Sequence, residues 1–127
     1  MKLMSDTSKT FHIRSKIWIE DNEGNVIFGL GRLKMLETIQ RLGSIQSAAK
    51  ELKMSYRAIW GRIRATEDRL GEKLLVRNIG GSSGGGSELT VFAKMLMEQF
   101  RQLHKCVEYQ SDELFDKSFG TQLRLSE

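Results

Sequence analysis

The sequence contains no proline, a single cysteine and only two histidines in 127 residues. Without proline, no stretch can be a stiff proline-rich spacer. The lone Cys106 excludes an internal disulfide framework. With only His12 and His104 beside it, one chain cannot assemble a four-ligand Cys/His zinc site. No metal and no cofactor are expected. Long hydrophobic runs are missing too. The opening MKLMSDTSK has no apolar signal core, and no later stretch approaches the roughly 20 apolar residues that span a bilayer. The expectation is a soluble, cytoplasmic protein with no membrane partner. No Ser-His-Asp set or paired-carboxylate cleft is legible, and the two histidines lie at opposite ends of the chain, so the reading is not of an enzyme.

What is present is enough for one core. With 39% hydrophobic and 28% charged residues, a chain of this length buries one compact domain and carries an appendage. The net charge of +4 is unevenly placed. Residues 1–28 carry four basic and four acidic side chains, residues 29–77 eleven against five, and residues 78–127 five against seven. A basic excess confined to the middle fits either a polyanion that touches one part of the protein or a solvated basic surface without a partner.

Two β-prone runs, Lys16 to Ile19 and Val26 to Phe28, flank Asp, Asn and Gly and predict a hairpin behind a flexible N-terminal arm of residues 1–15. Leu33, Leu36, Ile39 and Leu42 recur at helical spacing over residues 31–42, and Gly43 is a natural stop. Ser44 can cap a second helix through IQSAAKEL, whose Ile45, Ala48, Ala49 and Leu52 form one narrow face. Ser55 can cap a third, through YRAIWGRIRATEDRLG. At about 100° per residue, Ile59, Ile63, Thr66 and Leu70 share one face of it, and Arg57, Gly61, Arg64 and Asp68 share the opposite one.

Two short helices joined by a tight turn, the second presenting Arg, Tyr and Trp outward, describe a helix-turn-helix with a recognition helix at about 55–70. An arginine can donate two hydrogen bonds to the O6 and N7 acceptors of guanine, so these residue types suit a major groove. A helical hairpin with a solvated basic face is the competing explanation. Gly61 adds a cost of about 1 kcal/mol relative to alanine in a helix interior. Either it lets the helix backbone lie close to DNA, or it relieves crowding against another helix.

The stretch RNIGGSSGGGSELT, residues 77–90, holds five of the twelve glycines. Apolar KLLVRN precedes it and ELT follows. Fewer than forty residues remain beyond it, which argues against an interdomain linker. A nucleotide-binding P-loop needs Lys and Ser/Thr directly after its last glycine, whereas Ser87, Glu88 and Leu89 follow here. The remaining reading is a wing at 74–90, a hairpin whose pliable tip lets backbone N–H groups approach phosphates or the minor groove.

The segment from Gly43 to Thr90 resembles the winged helix-turn-helix of LysR-type regulators, and more closely the N-terminal DNA-binding domain of ModE molybdate-responsive regulators. Gly43, Ser44, Ala48, Ala49, the MSY turn, Trp60, Leu70-Gly71, Leu74, Leu75, Arg77 and the run Gly80 to Gly86 carry that resemblance. It implies a mainly α (α+β) winged helix-turn-helix with an N-terminal β-hairpin and a long C-terminal dimerisation helix. It also implies a sequence-specific DNA-binding transcriptional regulator acting as a homodimer on double-stranded DNA. Two departures stand out. No lysine or arginine lies between Arg77 and Lys94, and the molybdate-binding domains of full-length ModE proteins are not in this sequence, so either a separate ligand-sensing protein supplies the sensing, or the protein responds to another signal, or it is not ligand-gated.

The expected organisation is therefore an arm at 1–15, the winged helix-turn-helix at 16–90, a dimerisation helix at 91–118 and a tail at 119–127. Expected DNA contacts are Ser44, Ser47, Ser55, Tyr56, Arg57, Trp60, Gly61 and Arg64, with Arg62 and Arg77 on the backbone and Gly81, Ser83 and Gly84 at the wing tip. In the last helix Leu96, Phe100, Leu103, Val107 and Leu114 follow a heptad-like rhythm that predicts a two-fold dimer seam, although an intrachain core stripe has the same spacing. His104 and Cys106 read as packing or surface residues. The alternative function is a winged-helix interaction module that partners a separate sensor chain.

Overall fold

Hairpin chemistry opens the computed structural model, which describes residues 11–78 and 85–120. Strand β1 (Trp18–Glu20) pairs antiparallel with β2 (Val26–Gly29). The Asp21 carboxylate builds the turn between them, its Oδ1 accepting the backbone N–H groups of Glu23 and Asn25, each at 2.9 Å. Lys16 and Ile17, expected in the first strand, lie outside it. Trp18 pairs with Gly29, and the chain turns into a helix at Leu30, leaving nothing for the earlier residues to pair with.

Helix α1 (Leu30–Leu42) buries Leu33, Met35, Leu36, Thr38 and Ile39, while Leu42 is exposed. Gly43 ends it in the left-handed region at φ 87°, a conformation that costs glycine nothing. Helix α2 (Ile45–Leu52) begins with the Ser44 hydroxyl accepting the Ser47 N–H at 3.1 Å and buries Ile45, Ala48 and Ala49. Its small residues let the helices approach closely, and α1, α2 and α3 (Tyr56–Leu70) all contact one another. The turn into α3 passes through Lys53, a left-handed non-glycine residue at φ 56°. Helix α3 buries Ile59, Ile63 and Thr66 as its periodicity predicts. The Thr66 hydroxyl donates to the Ile27 carbonyl at 2.6 Å, tying the back of α3 to the hairpin.

Strands β3 (Leu75–Asn78) and β4 (Gly86–Leu89) pair antiparallel, with Arg77 opposite Ser87 and Asn78 opposite Gly86. Helix α4 (Val91–Phe115) follows, and a π-helical turn, Asp116–Gly120, extends it. Phe100, expected in the dimer seam, is only 2% exposed and is a core residue. Its ring meets Phe28 edge-on at 5.3 Å and 78°, so its apolar area is already spent within the chain. Ala93 and Met97 are buried with it, and Leu96 is partly buried against the same core. In contrast, Leu103 is 47% and Leu114 62% exposed, and Val107 is half-buried.

The described residues fall into two compact units, Ile17–Phe100 and the described parts of Met1–Lys16 and Arg101–Glu127. The first ten residues of α4 thus belong to the helix-turn-helix unit. Most of the expected arm and tail, and the wing-tip residues Gly81, Ser83 and Gly84, lie outside the described residues. No helix among the described residues is long and apolar enough to cross a membrane.

Candidate nucleic-acid interface

Two serines start the two helices of the motif. The Ser44 and Ser55 hydroxyl oxygens accept from Ser47 N–H (3.1 Å) and Ala58 N–H (3.0 Å), which leaves each O–H free to donate outward. Ser47 lies exposed in the first turn of α2. Because α2 and α3 present unpaired backbone N–H groups at these ends, both starts are favourable to anions.

Arg57, Gly61, Arg64 and Asp68 all lie exposed along one face of α3. A Cβ added at Gly61 would meet no other segment within 4 Å. The crowding explanation for this glycine therefore fails, because nothing in the described structure presses on it. Arg64 sits between two neighbours on its own helix. Its guanidinium lies 5.9 Å from the centroid of the half-buried Trp60 ring, and its Nε lies 3.5 Å from Asp68. Tyr56 is exposed at the start of the helix.

Arg62 does not join this face. At about 100° per residue it is rotated well away from Arg57. There its carbonyl accepts the Arg32 Nε–H at 3.2 Å. Burial holds the Arg32 guanidinium below its ordinary pKa, and the nearby charges of Arg62 and Arg69 push the same way. Arg69 in turn faces Asp21 across 3.7 Å. This flank is a cluster of guanidinium groups beside the hairpin, distinct from the outward face.

The wing closes the arrangement. Ser87 N–H donates to the Gly43 carbonyl at 2.9 Å, and a Cβ on Gly86 would stand 3.0 Å from that same oxygen. A side chain here would need the facing backbone to give by a few tenths of an ångström. The contact brings Ser44 and Gln46 of the α2 start, Tyr56 of α3, and Arg77, Gly85 and Ser87 of the wing around one cleft. Ser44, Tyr56 and Arg77, singled out separately from the sequence, thus converge, while Arg57, Gly61 and Arg64 form the adjacent exposed stripe.

Sequence reasoning missed Glu67. It is 4% exposed on α3, and its Oε2 accepts the N–H groups of Leu74 (2.8 Å) and Leu75 (3.2 Å). The available signal was its place four residues after Ile63, on the apolar face. Elsewhere, His104 Nδ1 lies 3.6 Å from Glu108 and Cys106 is exposed. Among the described residues, no group of three or more His, Cys, Asp or Glu side chains could hold a metal ion.

Comparison with known proteins agrees with this geometry. Residues 30–94 match the bacterial regulatory helix-turn-helix proteins of the lysR family. The transcriptional regulator ModE of Haemophilus influenzae is 38% identical over 87 residues, which are 68% of this chain and 34% of that protein. The molybdenum transport protein ModE of Azotobacter vinelandii is 41% identical over 80 residues, 63% of this chain and 29% of that one. The chain spans about a third of the length of the curated relatives it matches. Among solved structures, the CbnR DBD–DNA complex superposes with a TM-score of 0.56 at 25% identity, covering 72% of this chain and 99% of that one. CbnR itself, a LysR family transcriptional regulator, gives 0.52 at 26% identity over 70% of this chain and 29% of that one. With its matched region running from α1 into α4, the chain belongs to the lysR family of bacterial regulatory helix-turn-helix proteins.

Proposed function

We propose that the chain is the DNA-binding module of a transcriptional regulator, entering the major groove with α3 and resting its wing on the adjacent backbone or minor groove. The observation that carries this reading is the outward face of α3. Two arginines flank a glycine above which nothing stands, so the helix backbone can approach base edges while Arg57 and Arg64 reach for guanine. Relatives named as transcriptional regulators and a structural neighbour described in complex with DNA support it.

Within this reading, Ser44, Ser47, Ser55 and Tyr56 contact phosphates or base edges at the groove wall, and Arg77 holds the backbone from the wing. Trp60 positions Arg64. Arg62 contributes backbone attraction from the flank. Two copies pair through Leu103, Val107 and Leu114 of α4, which share one helical face, placing two recognition helices about 34 to 36 Å apart on successive turns. Phe100 and Leu96 support that helix from inside the chain.

The test is selection on a randomised duplex library over a salt series, with light scattering for mass, using wild type and Arg57→Ala/Arg64→Ala. An inverted repeat enriched by a dimer and lost in the variant is expected, each arginine contributing about 1 to 3 kcal/mol. Absence of any salt-dependent binding would overturn the reading and point to a protein partner for the winged helix. Leu103→Glu and Leu114→Glu are expected to halve the mass; an unchanged mass places the seam elsewhere.

A further inference from the structure

We infer that Glu67 is a positioning residue that sets the angle of the wing against the recognition helix, so that the two engage one site as a unit. The DNA consequence rests on the function proposed above; the positioning itself does not.

Four of the five backbone N–H groups from Gly71 to Leu75 end on this one residue. Its carbonyl accepts from Gly71 at 2.8 Å and from Glu72 at 3.3 Å, closing the helix. Its carboxylate accepts from Leu74 and Leu75 at 2.8 and 3.2 Å, directing the chain into β3. A buried carboxylate is tolerated only where donors replace its lost hydration, and these two N–H groups share Oε2. Oε1 has no hydrogen-bond partner and faces the Lys73 ammonium at 3.9 Å. The same turn receives the far end of the wing, since the Thr90 hydroxyl donates to the Lys73 carbonyl at 2.7 Å and Thr90 N–H to the Leu74 carbonyl at 3.0 Å. Both strands are thus referred to a turn whose first-strand amides are held by an α3 side chain. Arg77 lies two residues beyond Leu75, so the place where it meets a phosphate follows from where Glu67 holds the strand.

Glutamine at this position keeps the shape and one oxygen but turns an NH2 toward the Lys73 ammonium, a donor against a cation. Aspartate keeps the charge but withdraws it by one methylene. Both variants are compared with wild type, so that one folded variant suffices.

Two measurements decide the matter. In amide hydrogen exchange without DNA, the Leu74 and Leu75 amides are expected to lose protection while those of α3 keep it. Wild-type exchange at Leu74 and Leu75, or a uniform loss across α3 and β3, would overturn the inference. On the selected DNA site, Glu67→Gln is expected to weaken binding about tenfold and to lower the salt slope by about 1, with the base preference unchanged. Repeated in an Arg77→Ala background it should cost less than about twofold, a coupling between side chains that do not touch. Additive losses refute the coupling. If wild type binds no DNA, the regulator reading fails, and the exchange measurement still decides whether Glu67 sets the wing.

Discussion

Ser87 N–H donates to the Gly43 carbonyl at 2.9 Å, joining the second wing strand to the glycine that ends α1 and precedes the α2 cap. The wing is consequently attached at both edges, here to the start of the motif and through Glu67 to its end.

Gly86→Ala tests the first attachment. The new Cβ would stand 3.0 Å from the Gly43 carbonyl oxygen, a backbone atom that must give by a few tenths of an ångström to admit it. Overpacking of this kind costs about 1 to 3 kcal/mol. A fall in denaturation midpoint is expected together with weaker DNA binding, because β4 must move away from α2. A midpoint equal to wild type would show that the strand adjusts freely.

Gly61→Ala separates folding from function. Its methyl group meets nothing within the chain, and removing a helix-interior glycine should stabilise the fold by about 1 kcal/mol. The same methyl stands between Arg57 and Arg64 on the face proposed to meet DNA, so specific binding should weaken. Thermal unfolding and DNA titration on the same sample check both signs. A variant that is more stable and binds as tightly as wild type would remove Gly61 from the interface.

Asp68→Asn addresses selectivity. Asp68 pairs with Arg64 at 3.5 Å on the exposed face, and such an i,i+4 pair contributes only about 0.3 to 0.5 kcal/mol to stability. Its larger effect is on partners. Deleting this negative charge should tighten binding to random DNA while freeing Arg64 to wander, so the ratio of specific to random affinity falls. Competition titrations at two salt concentrations measure that ratio. No change in it would make Asp68 a bystander.

Asp21 brings a pH dependence. The Asn25 N–H and then its side-chain amide hold this carboxyl below the ordinary aspartate range, with Glu23 N–H and Arg69 acting the same way. A carboxyl whose folded pKa is depressed stabilises the fold above its unfolded pKa, and that contribution is lost as pH falls through the folded pKa. Asp21→Asn should therefore lower stability at neutral pH and lose less than wild type on acidification below about pH 4. Urea denaturation at pH 7 and pH 3 measures both; parallel behaviour of the two proteins would contradict it.

The helices were legible because their ends are chemically marked. Ser44 and Ser55 cap, Gly43 and Gly71 stop, and the apolar residues between them keep one period. What escaped was tertiary. Gly86 and Ser87 have little intrinsic strand preference, and they join β4 because Asn78 and Arg77 pair with them and the Gly43 carbonyl takes the Ser87 N–H. Glu67 escaped because charged residues are seldom fully buried, and its donors arrive seven and eight residues later in the chain. The partner of Phe100 is hidden in the sequence for a different reason. A heptad-like rhythm announces an apolar stripe but not its partner, and here that partner is Phe28.

Helix α3 is gripped from behind by Thr66 on Ile27 and at its end by Glu67 on Leu74 and Leu75, with Ile59 and Ile63 buried in its earlier turns. None of these obligations reaches Arg57, Gly61, Arg64 or Asp68. Under the proposed function, reading matter and scaffold are therefore written in separate letters of the same helix. Selection, or a protein engineer, can retarget the outward letters to a new operator without renegotiating the core, and a domain arranged this way can diversify faster in what it recognises than in how it folds.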